Sequence, residues 1–334
     1  MKNRQLQPNE LTSEGKKSMK VRIIAGLVAV LPTAACLFLG DWVFLIFITL
    51  VLAIACYEIL RLIGNKHFSL YIIYFIIMAL VVYWPIFQKI VESWFTKDNL
   101  DWHVYSYFSS LHLPITILVV GIFALFFTVV LFEQFTVRDA CLLATVGILV
   151  GLGLQSALYL RFLPHDPNFD FLTYQNTIGS SWLIVYILLG TMATDIGAYF
   201  VGVFFGKNKM NERISPKKTW EGFVGGIAIS FLVSATFGFL MAFLGYPFCK
   251  ALDSDHWYNI LILSLLIPLF ATLGDFVFSS IKRYYSIKDY GNLIPGHGGI
   301  LDRLDSIIFT LITSGFYICI IQNFFEFRGT NPLI

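Results

Sequence analysis

Residues 258–323 read YNILILSLLIPLFATLGDFVFSSIKRYYSIKDYGNLIPGHGGILDRLDSIIFTLITSGFYICIIQN. Two apolar runs, 258–281 and 304–323, flank a short polar stretch that carries Lys282, Arg283, Lys288, Asp289, Asp302 and Arg303. Each run is close to the roughly 20 residues that a helix needs to cross hydrocarbon. Lipid offers no partner for an unpaired backbone amide, so such runs are expected as helices. Charge held beside a membrane is costly without a role, and this stretch is therefore the first place to look for chemistry.

The same pattern extends outward along the chain. Of the 334 residues, 57% are hydrophobic and only 13% are charged, against about 25% charged in a soluble domain. Mean hydropathy is +0.75. Nine candidate spans follow from apolar run length: 22–39, 42–60, 68–88, 113–132, 140–160, 181–204, 222–247, 258–281 and 304–323. The expected fold class is all-α, a polytopic integral membrane protein. Residues 1–21 form a basic tail expected to be disordered. The run after it is too long for a signal-peptide core and reads as an uncleaved anchor. We divide the remainder into N-terminal helices, 22–175, and a C-terminal catalytic region, 176–334.

Lys and Arg set the orientation. With the N-terminus in the cytoplasm, eighteen fall on inner segments and five on outer ones, a strong positive-inside asymmetry. Trp42, Trp84, Trp182 and Trp257 then lie near outer span ends, as an interfacial belt requires. The charge-rich loops 205–221 and 282–303 both face the cytoplasm, and any soluble substrate they bind must come from there. The five cysteines lack metal-ligand spacing and read as small buried residues.

Four groups carry the chemistry. Asp195, in TMATDIGAYF, sits about 13 Å inside its span at 1.5 Å per residue. A carboxylate at that depth needs a cavity, a cation or a partner. The loop ISPKKTWEG supplies Ser215, Lys217, Lys218 and Thr219, donors suited to phosphate oxygens. Glu221 follows at the next helix N-terminus, whose free amides point into the same space. The loop lacks the GxxxxGK[ST] spacing of a Walker A motif. Asp275 lies about 9 Å from the inner end of its span, with Ser279, Lys282 and Arg283 following one and two turns later. Finally, Gly296, Gly298 and Gly299 let backbone approach a ligand closely, and Asp302 and Asp305 share one side of the last helix with Arg303 between them.

Carboxylates from two helices facing one polar pocket are a common way to hold Mg²⁺, whose remaining positions go to water and substrate phosphate. His297 is the sole histidine of the charge-rich region, too few nitrogen or sulfur ligands for zinc. Hard oxygen donors, clustered cations and Gly-rich turns at one membrane face together point to phosphoryl or nucleotidyl transfer.

The string S-x-x-K-R-x₄-K-D-x-G-x₃-P-G-H-G-G-x-x-D-R-x-D, running from Ser279 to Asp305, resembles the signature of the phosphatidate cytidylyltransferase (CDP-diacylglycerol synthase) family. ISPKKTWEG and DIGAYFVG resemble that family's other motifs in order and spacing. The match is dense over 191–306 and weak before it. The resemblance implies an Mg²⁺-dependent membrane enzyme joining CTP and phosphatidic acid into CDP-diacylglycerol and pyrophosphate during phospholipid biosynthesis. It implies a homodimer among membrane lipids, with no nucleic-acid partner. The family's metal-binding aspartates fall on Asp275 and Asp302; Asp305 and Asp195 stand as further candidate ligands, for the same ion or a second cation. Lys282, Arg283 and Arg303 are expected at the reacting phosphates. Ser215, Lys217, Lys218, Thr219, Glu221, Ser279, Lys288, Asp289, His297, Gly298 and Gly299 are expected around the substrates. The chain departs from many bacterial members at Phe278, where they carry Glu. The short N-terminal tail points to a bacterial inner membrane, with the site on the cytoplasmic side.

Two rivals make different demands. The DGxxAR pattern of CDP-alcohol phosphotransferases is absent. An ion-coupled transporter of a phosphorylated solute would use Asp195 and Asp275 as midplane sites, but it predicts inverted halves and polar groups at both faces. The dense polar motifs here fall on one side.

Overall fold

The computed structural model describes residues 33, 35–64, 68–97, 113–133, 135–162, 178–246, 248–249, 252–291, 293 and 298–327. Among them are eight helices: α1 (Asp41–Leu62), α2 (Phe68–Lys97), α3 (Leu113–Leu131), α4 (Val137–Arg161), α5 (Ile178–Phe205), α6 (Trp220–Phe243), α7 (Trp257–Tyr284) and α8 (Leu301–Phe327). Six of these (α1, α4, α5, α6, α7 and α8) are long and apolar enough to cross a membrane. The apolar parts of α2 and α3, Phe68–Trp84 and Val119–Leu131, are shorter. The expected span at 22–39 lies largely outside the described residues. The all-α polytopic architecture is as the apolar runs require.

One element departs from a purely helical reading. Between α5 and α6 the chain forms an antiparallel hairpin, β1 (Lys209–Asn211) and β2 (Ser215–Thr219), with Lys209 opposite Thr219 and Asn211 opposite Ser215. Asn211 Oδ1 accepts from the amides of Arg213 and Ile214, both at 3.2 Å. An Asn that holds the backbone just ahead of it in this way favours a turn. The strands are short, polar and irregular in register, so no period-two apolar pattern announced them.

Side-chain hydrogen bonds tie the helices together, as they must where lipid rather than water surrounds the bundle. The Tyr186 hydroxyl on α5 meets Ser264 Oγ on α7 at 2.6 Å, and Thr191 donates to Thr310 on α8 at 3.0 Å. Ser230 on α6 donates to the Gly190 carbonyl at 2.8 Å. Gly274 lets α7 close on α8 beside Asp275, because a Cβ there would sit 2.5 Å from the Asp305 carbonyl oxygen. α4 begins with a capping box: Asp139 N donates to Thr136 Oγ1 at 3.3 Å and Thr136 N to Asp139 Oδ2 at 3.0 Å. Arg138 then stacks over the Tyr284 ring at 4.3 Å, so α4 starts at the end of the bundle where α7 stops.

Candidate active site

The hairpin, the end of α7 and the start of α8 meet at that same end of the bundle. Arg283 binds them together: its Nε donates to the Ile214 carbonyl at 3.2 Å, just before β2. Lys218 on β2 forms an ion pair with Asp275 Oδ2 on α7, and its ammonium lies 4.6 Å from the centre of the Phe276 ring. One turn on, Ser279 Oγ donates to Asp275 Oδ1 at 3.1 Å. Asp275 therefore sits between the hairpin and its own helix.

Asp302 is nearly sealed, and both of its oxygens are engaged. Lys282 Nζ donates to Oδ1 at 2.9 Å, while the amides of Tyr290 and Gly299 reach Oδ2 at 2.7 and 2.9 Å. These contacts pin the loop after α7 to the start of α8. Gly298 adopts φ +80°, and a Cβ there would lie 2.7 Å from Asp302 Oδ2. A side chain is thus refused on conformation and on space. Lys282 also faces Asp305 Oδ2 at 3.8 Å, so one ammonium serves two carboxylates. Asp195 on α5 is exposed and lies within electrostatic reach of Asp275, Lys218 and Arg303. Asp305 likewise feels the charges of Asp275 and Asp195.

Below this cluster Phe278 is fully buried, with ring centres of Tyr290 and Phe309 at 6.1 and 6.5 Å. Burial, then the carboxylates of Asp302 and Asp305, push the Tyr290 hydroxyl up from its ordinary pKa. It stays protonated and donates to the Phe278 carbonyl at 3.0 Å. Phe278 is thus part of an aromatic floor.

Other expected site residues take supporting places. Thr219 caps α6, its Oγ1 accepting from Gly222 N at 3.1 Å. Glu221 accepts from the amides of Lys207 and Asn208 and from Asn208 Nδ2, which closes the base of the hairpin. Ser215 pairs opposite Asn211 at the turn end of the hairpin. Lys217, Lys288, Asp289 and Arg303 are exposed. His297 lies outside the described residues.

One participant was not visible in the sequence. Glu58 on α1 is 2% exposed, and its two oxygens accept from the amides of Ile300 and Leu301, both at 2.9 Å. The signal that could have found it is a single acidic residue inside the apolar run 42–60.

Four carboxylates, Asp195, Asp275, Asp302 and Asp305, face three cationic side chains, Lys218, Lys282 and Arg303. The cluster can accept further positive charge before any phosphate arrives. Among the described residues no three acidic, His or Cys side chains converge closely enough to cage a metal unaided. That suits Mg²⁺, which is usually held by one or two carboxylates plus substrate phosphates.

The profile of the cytidylyltransferase family matches residues 20–321, nearly the whole chain. The chain belongs to the cytidylyltransferase family. The phosphatidate cytidylyltransferase of Bacillus subtilis is 33% identical over 293 residues, covering 88% of this chain and 95% of its own. The phosphatidate cytidylyltransferase of Staphylococcus haemolyticus is 30% identical over 293 residues, covering 88% of this chain and 96% of its own. That of Staphylococcus aureus (strain COL) is 29% identical over the same shares. The match of this cytidylyltransferase begins ahead of α1, so it takes in the N-terminal helices that the motif reading left unassigned.

Proposed function

We propose that this cytidylyltransferase moves CMP from CTP to phosphatidic acid, giving CDP-diacylglycerol and pyrophosphate. The observation that carries this reading is the meeting of Asp275, Asp302 and Asp305 with Lys218 and Lys282 at one end of a membrane-spanning bundle. Family membership and phosphatidate cytidylyltransferase relatives across 88% of the chain support it.

A phosphate oxygen of phosphatidic acid attacks the α-phosphorus of CTP. The bond between that phosphorus and the bridging oxygen breaks, and the electron pair leaves with pyrophosphate. No side-chain nucleophile is needed; the work is positioning and charge neutralisation. Lys218 and Lys282 hold positive charge at fixed points, where partial exclusion of water strengthens it. Arg303 adds exposed charge above them, and Arg283 steadies the hairpin that carries Lys218. Asp275 and Asp302 would hold Mg²⁺, with Asp305 and Asp195 as further oxygen donors for it or for a second cation, and the ion when bound neutralises charge on the reacting phosphates. The lipid tails remain in the bilayer while the headgroup reaches the cluster from the side. Positive-inside charge supports a cytoplasmic site in a bacterial inner membrane, and the resemblance supports a homodimer.

The test is an assay with purified protein in detergent, phosphatidic acid, Mg²⁺ and labelled cytidine triphosphate. Lipid-extractable label together with released pyrophosphate is the expected result. Pyrophosphate release without lipid labelling would contradict it.

A further inference from the structure

Glu58 is a carboxylate with no evident reason to exist in an apolar helix. It comes from α1, far from the motif-bearing half of the sequence, and it is almost completely shielded. Its Oε1 takes the Ile300 amide and its Oε2 the Leu301 amide, each at 2.9 Å and more than 240 residues away. Ile300 immediately precedes α8 and Leu301 opens it, where free N–H groups and the helix dipole favour negative charge. A buried carboxylate left unpaired would be costly, and here it is paired on both oxygens.

The place it grips matters. Leu301 immediately precedes Asp302, and Gly299 gives its amide to Asp302. A Cβ on Gly299 would lie 2.3 Å from Glu58 Oε1, and one on Gly291 would lie 2.5 Å from the same atom. The glycine-rich turn therefore closes directly around the Glu58 carboxylate. The start of α8 is held from below by Glu58 and from above by Lys282 acting on Asp302. Asp302 and Asp305 take their direction from that turn.

We infer that Glu58 is a positioning residue for CMP transfer: the N-terminal helix α1 fixes the active-site turn by binding the Ile300 and Leu301 amides. It acts through Asp302 and Asp305 and not on substrate. The kinetic part rests on the CMP-transfer reading; the structural part does not.

The experiment compares wild type, Glu58→Ala and Glu58→Gln in detergent by CDP-diacylglycerol formation, thermal unfolding and hydrogen exchange with mass spectrometry. Glu58→Ala should lower kcat by about 10–100-fold, the range seen when a group orienting a ligand-bearing residue is lost. KM for CTP should move far less. Glu58→Gln keeps one acceptor oxygen and should fall between wild type and Glu58→Ala. Deuterium uptake should rise in peptides over 290–304 and stay unchanged in α5 and α7. Wild-type kcat in both variants, or unchanged uptake over 290–304, overturns the inference, as does a kcat that falls only with the folded fraction. Should Glu58→Ala fail to fold, Glu58→Gln decides by the same readouts. An inactive wild type would sink the CMP-transfer reading instead, while the exchange data would still judge the clamp.

Discussion

Lys282 and Asp302 meet at 2.9 Å, with side chains only 11% and 3% exposed. The pair locks the end of α7 to the start of α8, and Asp305 at 3.8 Å shares the same ammonium. Taking one partner away strands a buried charge, which typically costs about 3–5 kcal/mol. Lys282→Met should therefore lower both thermal stability and turnover. The double variant Lys282→Met/Asp302→Asn should regain part of the stability, because Asp302 no longer carries an unpaired charge while Asp305 still lacks its ammonium, yet remain inactive. Thermal unfolding in detergent beside turnover separates the two effects. Recovery of turnover in the double variant would show that the pair is scaffolding only.

Lys217 and Lys218 are neighbours with different environments. Lys218 is half-buried on Asp275, whereas Lys217 is exposed. Lys218→Ala should cut kcat/KM by about 100-fold, the scale for removing one preorganised charge from a transition state. Lys217→Ala should act mainly by raising KM for an anionic substrate, and less so at high salt, as expected of an exposed charge. Steady-state kinetics at two ionic strengths distinguish them.

Phe278 is fully buried between Tyr290 and Phe309. Phe278→Ala should destabilise the protein by about 3–5 kcal/mol, as for other buried Phe truncations. Phe278→Glu should be worse, because it puts a charge in place of a fully buried ring. The loss of folded enzyme on heating, followed by intrinsic fluorescence, measures both. A Phe278→Glu variant as stable as wild type would contradict a purely apolar packing role for this ring.

Much of this was legible in the chain. Apolar runs gave the helices because hydrocarbon leaves the backbone no alternative. The placing of Asp275 and Lys282 along the last turns of α7 and of Asp302 and Asp305 in the first turns of α8 pointed to a carboxylate–lysine cluster, because the two helices follow one another in the chain. What stayed hidden depends on tertiary contact. The hairpin at 209–219 is polar throughout and closes through Asn211 and Glu221, a pattern without periodicity. Ser215, Thr219 and Glu221 look like phosphate ligands in sequence; in the structure Ser215 lies in β2, Thr219 caps α6 and Glu221 accepts from the amides of Lys207 and Asn208. Glu58 could not be linked to Ile300 by any local rule. The end of α2 also outran its apolar stretch, reaching Lys97 where the sequence suggested about residue 88.

If CMP transfer takes place at the Asp275–Asp302 cluster, the α-phosphorus of CTP, and no other, enters the lipid. The most direct measurement supplies wild type and Asp275→Asn with phosphatidic acid, Mg²⁺ and CTP labelled at either the α- or the γ-phosphate. Wild type should carry only the α-label into the lipid phase. Asp275→Asn, folded by the same thermal criterion, should carry at least about 100-fold less. Gamma label in the lipid, or near-normal transfer by Asp275→Asn, would contradict CMP transfer at this cluster.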